Sequence, residues 1–479
     1  MGTWKPLANQ PNFNASTMLL LTDGTVMCQD GGVALGGSSH WHKLTPDANG
    51  SYLLGTWTAL ADSPSAPRAY ASAVLINGSV FVAGGEYADG LEWDLLAAQV
   101  YNPVSDIWNV ASVPPGWTNI GDAPSCMLPD GRLLVGSIID NSTAIYDYTN
   151  NKWVAARPKV NINSNEETWT LLPDGTILSV DCNGHPGAEK YIISADQWVK
   201  IDPTPKDLVE AASIEIGPAM LLPDGRVFCI GATPHTALYQ KGANPTDLGT
   251  WSPGPDFPPQ PGNPNVGAKD APACLLPNGN VLCIAGPVNG NENDYLCPMY
   301  YFEFDPTAGK FAQITTNPPS HDDQIPPSEA RLLLLPTGDV MFSNGTMNIS
   351  VYQPAGTPNP SWMPSIDEIK DRDGKPATDL TTNYWYNLFG RQLNGLSQAV
   401  SYGDDAQMAT NYPLVRIKNN ATGYVVYCPT QNHSTMGVAT GSAQQNTWFL
   451  VPNGIEPGPS DLQVVANGIG STVLPVTVK

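Results

Sequence analysis

The sequence predicts an all-β protein in which a seven-bladed β-propeller is followed by a small β-sandwich. Three observations carry this. A short apolar strand, a tight turn and a second apolar strand recur at Thr17–Val26, Ala71–Val82, Ala123–Leu134, Thr168–Leu178, Pro218–Phe228, Pro272–Leu282 and Arg331–Phe342. A period of roughly 50 residues with one hairpin per unit is that of a propeller blade. The 479-residue chain holds 45 Gly and 46 Pro and only 14% charged residues, the composition of turn-rich β structure. From about Ser365 the repeat stops, and short alternating strands follow a charged, turn-rich stretch.

Each hairpin is set by its turn. In Pro-Asp-Gly, proline presets the bend and glycine supplies a positive φ. The turn glycines are Gly24, Gly78, Gly131, Gly175, Gly225, Gly279 and Gly338. A third strand follows, as at Ala98–Asn102 and Thr143–Asp147, and then a fourth that carries an aromatic residue: Trp57, Trp108, Trp153, Trp198, Trp251 and Phe311. Trp4 is one extra. The economical arrangement lets the strand around Trp4 close the ring beside the seventh repeat, removing the last open sheet edge and leaving Trp362 to the linker. The opposite assignment is also compatible with the sequence. The repeats then occupy residues 1–364 and the sandwich 365–479, with strands near Leu414–Lys418, Tyr424–Cys428, Thr447–Val451, Leu462–Ala466 and Val473–Val478.

A formal net charge of -22 and a pI of about 4.4 repel nucleic acid and anionic membrane surfaces, so no nucleic-acid partner is expected. No apolar run reaches the ~18 residues of a membrane helix, so no membrane insertion is expected. The first residues lack a basic start and an apolar core. No signal peptide is expected in the sequence given, which leaves a cytoplasmic protein or a secreted one with its leader removed. The eight cysteines form no CxxC pair, which disfavours a thiolate zinc site. Cys126 and Cys274 share one repeat position, and Cys28, Cys229 and Cys283 another; they read as small buried hydrophobes. Cys274 and Cys283 flank one turn and are expected to face each other, close enough to allow a strained bridge.

In a propeller the first strand of each blade lines the central channel. Residues eight or nine before the turn glycine therefore ring one channel mouth: Tyr70, Asp122, Glu166, Glu167, Asp270 and Glu329, with Arg331 two residues further in. One carboxylate at such a place commonly serves the backbone of the next blade. A ring of them points to a ligand, since clustered like charges are costly without a cation or a shared proton. The same face receives loops with His40, His42, His185, His235 and His321, and with Trp41, Trp93 and Trp117.

The segments AYASAVLINGSVFVAGG (Ala69–Gly85) and YNPVSDIW (Tyr101–Trp108) resemble Kelch repeats. The tail, with GRQLNGLSQAVSYGDD, TNYPLVRI and HSTMGVATG, resembles the C-terminal Ig-like (E-set) sandwich of galactose oxidase-like proteins. The resemblance implies a seven-bladed Kelch-type β-propeller followed by an Ig-like β-sandwich. The family's best-known activity is copper-radical oxidation of alcohols, with copper held by two tyrosines and two histidines. One of those tyrosines is cross-linked to a cysteine and stacked under a tryptophan. Carried over residue by residue, Tyr70 falls on the cross-linked tyrosine and Tyr87 on the stacking tryptophan. The cysteine's place reads Asn14-Ala15-Ser16, and the tyrosine–histidine pair falls on Ser328-Glu329. The C-terminal histidine's place reads Tyr402-Gly403-Asp404-Asp405-Ala406. Only Tyr70 remains of the copper set, so copper is not expected.

Three readings of function follow. The first is an enzyme without copper, using an acid–base pocket at the channel mouth on a small polar or aromatic substrate (lyase, isomerase, cyclase or hydrolase chemistry). Glu329 and Asp270 are then the acid and base, Tyr70 a proton donor and Arg331 an oxyanion anchor. Asp122, Glu167, Tyr87, His235, His185 and Trp117 line the substrate site. The second is a carbohydrate-binding or adhesive module without catalysis. The third is a metal-dependent variant that binds a different divalent ion through the histidines and carboxylates of this face; a copper-radical oxidase with unusual ligands is the remaining alternative. The sandwich is expected to send a loop toward the channel from the far side, with His433 as its histidine.

Overall fold

Local turn chemistry builds each blade from the inside outward. All seven turn glycines adopt φ between 74° and 90°, which lets the second strand fold straight back on the first. A third and a fourth strand add antiparallel to make four-stranded sheets over residues 15–59, 71–110, 125–156, 169–201 and 219–253, and the same four over 273–313 are extended to six by Val266–Gly267 and Val400–Ser401. The structure is a computed structural model that describes residues 1–32, 37–88, 91–92, 94–291, 294–402 and 409–479.

The seventh sheet joins the two ends of the propeller. Its inner three strands are Arg331–Leu334, Val340–Ser343 and Ser350–Gln353, and its outer strand is the N-terminal Thr3–Pro6, paired Trp4 to Tyr352. Trp362 lies outside the blades in a single turn, Pro360–Trp362, with its ring against Gly279. Trp4 packs on Tyr352, Tyr301 and Phe342 at ring distances of 4.8, 5.6 and 5.7 Å. Trp4→Ala is expected to cost about 2–3 kcal/mol, less than a fully buried tryptophan because Trp4 keeps some exposure. Equilibrium urea unfolding measures this, and an unchanged midpoint would separate closure from stability.

The recurring outer-strand tryptophans bind one blade to the one before. The indole N–H donates to a backbone carbonyl just beyond the previous outer strand: Trp57 to Asn9 (3.1 Å), Trp108 to Ala61 (3.0 Å), Trp153 to Ser112 (2.7 Å) and Trp251 to Asp202 (2.8 Å). A polar contact thus recurs at four blade junctions, beside the apolar core between sheets, while the Trp198 indole nitrogen is buried without a partner among the described residues.

Residues after Ser365 form two stacked sheets. One orders Ser365–Lys370, Tyr384–Arg391, Gln444–Val451 and Thr430–Gln431. The other orders Asp379–Leu380, Leu474–Val478, Gly458–Ala466, Leu414–Asn419 and Val425–Cys428. Alternation buries one face of each, so that Leu388, Phe449, Val415, Ile417, Leu462 and Val464 make a separate core.

From this sandwich a segment enters the propeller channel. Val400–Ser401 pairs with the inner strand Ala273–Leu275, and Gln398 Oε1 accepts from the Leu171 N–H at 3.2 Å. Residues 397–401 thus run against the inner strands of the fourth to sixth blades. Tyr402 follows, buried, with its hydroxyl on the Ser328 carbonyl of the seventh blade. On the return, Tyr412 donates to the Leu20 carbonyl of the first blade. The expected loop therefore exists, but it does not carry His433. That histidine is buried within the sandwich on Thr447 (2.8 Å), and burial pushes its pKa down to about 3.

The expected Cys274–Cys283 contact fails by one residue of register. Cys274 pairs with Leu282 and Cys283 with Ala273, which turns the two thiols to opposite faces. All eight cysteines are free thiols.

Candidate functional site

Glu329 ends the single turn Pro327–Glu329 that leads into the seventh inner strand. Arg68 lies on Pro67–Arg68, a two-residue strand held by Tyr87–Ala88. The Arg68 Nη2 donates to Glu329 Oε1 at 2.6 Å, and its guanidinium stands 5.6 Å over the Tyr87 ring. With Asn14, Ser16, Gln324 and Asn344 they line an open cavity of about 330 Å³ where the first and seventh blades meet. The Glu329 side chain is 37% exposed and that of Arg68 16%, so a ligand can reach the pair.

Tyr70 and Arg331 serve other ends than the sequence implied. The Tyr70 hydroxyl is sealed between blades and donates to Gln29 Oε1 at 2.7 Å; burial raises its pKa far above that of a free phenol. It is closed off as a proton donor to a ligand in the mouth. The Arg331 Nη1 donates to the Ser328 and Ala330 carbonyls (2.7 and 2.8 Å), and its guanidinium lies 3.8 Å over the Tyr402 ring. Instead of anchoring an oxyanion, Arg331 clasps the inserted segment by a buried cation–π contact.

Across the mouth, three blades present one carboxylate each. Oxygens of Glu166, Glu215 and Asp270 all lie within 4.8 Å of one another. Tyr295 Oη is 2.8 Å from Glu215 Oε1 and 2.9 Å from Asp270 Oδ2, and its one proton serves one of them at a time. Lys269 stands 4.5 Å over the Tyr295 ring and 3.5 Å from Glu210. The backbone is held in the left-handed region at Glu166 (φ 62°), Ile214 (φ 70°) and Asp270 (φ 44°). A β-branched residue such as Ile214 rarely stays there unless its surroundings impose it. Glu215 and Tyr295 escaped the sequence reading. Glu215 lies ten residues before Gly225, one outside the window used for the other blades, and Tyr295 sits in a loop with no repeat counterpart.

Burial, reinforced by the Glu166 charge, raises the Glu215 pKa well above its ordinary 4.5. A folded-state pKa above the unfolded one gives stability that is present at low pH and lost as pH rises through the raised value. Glu215→Gln removes that loss. In chelator, the variant is expected to match wild type in acid and to exceed it at alkaline pH by about 1–3 kcal/mol, the cost of an unsatisfied buried acceptor. Melting temperature against pH measures this; parallel curves for the two proteins would refute it.

The remaining expected residues scatter. Asp122 is buried. Glu167, expected to meet substrate, is wholly buried against Lys159 and belongs to the interior. Three loop histidines pair with an aspartate in the connection just past the outer strand of their blade: His40–Asp62 (2.8 Å), His185–Asp207 (2.6 Å) and His235–Asp256 (2.8 Å). His321 bonds Tyr301 and Asp323, and His42 stacks on Phe13. Among the described residues no histidine joins the group that could hold a metal. Trp41 is a core residue, its indole on Ser63, and Trp117 packs on the core. Trp93 and residues 403–408 lie outside the described residues.

Among the described residues, the groups around Tyr70 are already engaged with one another. Gln29 takes the Tyr70 hydroxyl and Glu329 is engaged by Arg68.

No family model matches the chain. The Kelch-like protein terF of Aspergillus terreus (strain NIH 2624 / FGSC A1156) is 29% identical over 124 residues, 26% of this chain and 26% of that protein. The chain thus matches about a quarter of that relative's length. The structure of a fungal alcohol oxidase of the AA5 family in complex with copper aligns over 100% of this chain and 99% of its own, at 13% identity and a TM-score of 0.59. A streptogramin B lyase structure aligns over 73% of this chain and 97% of its own, at 10% identity and a TM-score of 0.49. Identity as low as 13% speaks for fold alone. With its seven hairpin-built blades, N-terminal closing strand and channel-entering tail, this chain has a galactose oxidase-like propeller fold.

Proposed function

We propose that this protein is an enzyme without a copper-radical centre that transfers a proton on a small polar or aromatic substrate in the Arg68–Glu329 cavity. The observation that carries the reading is the accessible carboxylate held 2.6 Å from a guanidinium inside a walled site. About 330 Å³ is near the lower limit of ligand pockets, which favours a small substrate. Arg68 offers a planar fork for a substrate carboxylate or a developing oxyanion. When Arg68 turns to the ligand, Glu329 loses its counter-ion and becomes the proton acceptor, then returns the proton to a second atom. Isomerisation, elimination, cyclisation and hydrolysis share this step.

The test is a panel of small aromatic acids, polar alcohols and sugars incubated with the protein and followed by NMR and mass spectrometry. A substrate converted by wild type is expected to bind Glu329→Gln without being converted. Full turnover by the variant would remove Glu329 from the mechanism. Saturable sugar binding with no chemical change would favour the carbohydrate-binding reading.

A further inference from the structure

We propose that Glu166, Glu215 and Asp270 form a calcium site that ties the fourth, fifth and sixth blades together at the channel mouth. The donors are all oxygen, the set preferred by hard divalent cations. Their oxygens lie within 4.8 Å of one another. Calcium–oxygen bonds of about 2.3–2.6 Å place opposite ligands roughly 4.6–5.2 Å apart, so the three fit a single coordination sphere.

A second observation points the same way. Glu215 is 7% exposed, and its Oε2 has no hydrogen-bond donor among the described residues. The other oxygen receives Tyr295. The same carboxyl group lies within hydrogen-bonding reach of both Glu166 and Asp270. A buried carboxyl group turned toward two further carboxylates is relieved either by a shared proton or by a cation bound between them, and a calcium ion would displace that proton. The neighbouring Lys269 does not supply it, because its ammonium sits over the Tyr295 ring beside Glu210. The site draws on different residues from the Arg68–Glu329 cavity and does not depend on its role.

The experiment is calcium titration calorimetry on the full chain after chelator treatment, with the melting temperature followed in parallel. One calcium per chain and a higher melting temperature are expected. Glu215→Gln and Asp270→Asn should each weaken binding at least tenfold, whereas Glu368→Gln, an acidic residue elsewhere on the surface, should not. That control separates a site from the diffuse attraction of a chain with net charge -22. Circular dichroism checks folding; if Glu215→Gln does not fold, Asp270→Asn and Glu166→Gln decide. Absence of stoichiometric binding, or equal binding by the trio variants and wild type, would overturn the proposal. Glu329→Gln should bind calcium as wild type does, so this site and the proposed enzyme pocket fail separately.

Discussion

Lys159→Met is expected to destabilise the protein by about 3–5 kcal/mol, the range for breaking a buried ion pair from one side. Lys159 and Glu167 are both 0% exposed, and the ammonium meets one carboxylate oxygen. The other oxygen accepts from Trp169 Nε1 (3.0 Å) and Ser179 Oγ (2.7 Å). Burial drives the Glu167 pKa up while the Lys159 charge holds it down. Without the lysine, folding must either bury a bare carboxylate or protonate it. The double variant Lys159→Met/Glu167→Gln removes both charges and is expected to lose less than the sum of the two single changes. Urea unfolding of the four proteins measures the coupling. A loss below about 1 kcal/mol for Lys159→Met would mean that the pair does not hold this blade.

Glu329→Gln should lower kcat/KM by about 10²–10⁴-fold on any substrate that the cavity converts, the usual contribution of a positioned acid or base. The amide keeps the shape of the side chain and can still accept from Arg68, so binding should change little. Arg68→Lys acts on the other partner: an ammonium cannot offer the planar fork, and the expected effect is a higher KM. A variant pair in which Glu329→Gln changes only KM and Arg68→Lys only kcat would reverse the two roles.

The propeller was legible because its signals are local. Glycine at positive φ and apolar strands on either side, with a proline in five of the seven turns, specify each hairpin within about ten residues. The tryptophan count narrowed the closing strand to the neighbourhoods of Trp4 and Trp362, and the pairing of Thr3–Pro6 with Ser350–Gln353 decides for Trp4. The site was legible only in part. Of the residues singled out by repeat position, Glu166 and Asp270 come together and Glu329 lines a cavity with Arg68. The polar groups of Tyr70 and Arg331 are turned to Gln29, to the backbone and to Tyr402.

Glu166 and Glu167 show where the limit lies. They are neighbours in sequence, yet a left-handed residue at 166 turns one carboxylate to the mouth and the next into the interior, onto Lys159. Side-chain direction at a strand start depends on backbone angles that composition does not encode. By itself, then, the sequence determined the number of blades and their hairpins, because short-range turn chemistry suffices for each, whereas the pairing of Thr3–Pro6 with Ser350–Gln353 is what assigns the closing strand. Only the tertiary structure decided that Glu215 joins Glu166 and Asp270, that Arg68 meets Glu329, and that Tyr402 rather than His433 enters the channel. Those contacts join residues far apart in the chain, and they exist only once seven sheets have closed around one axis.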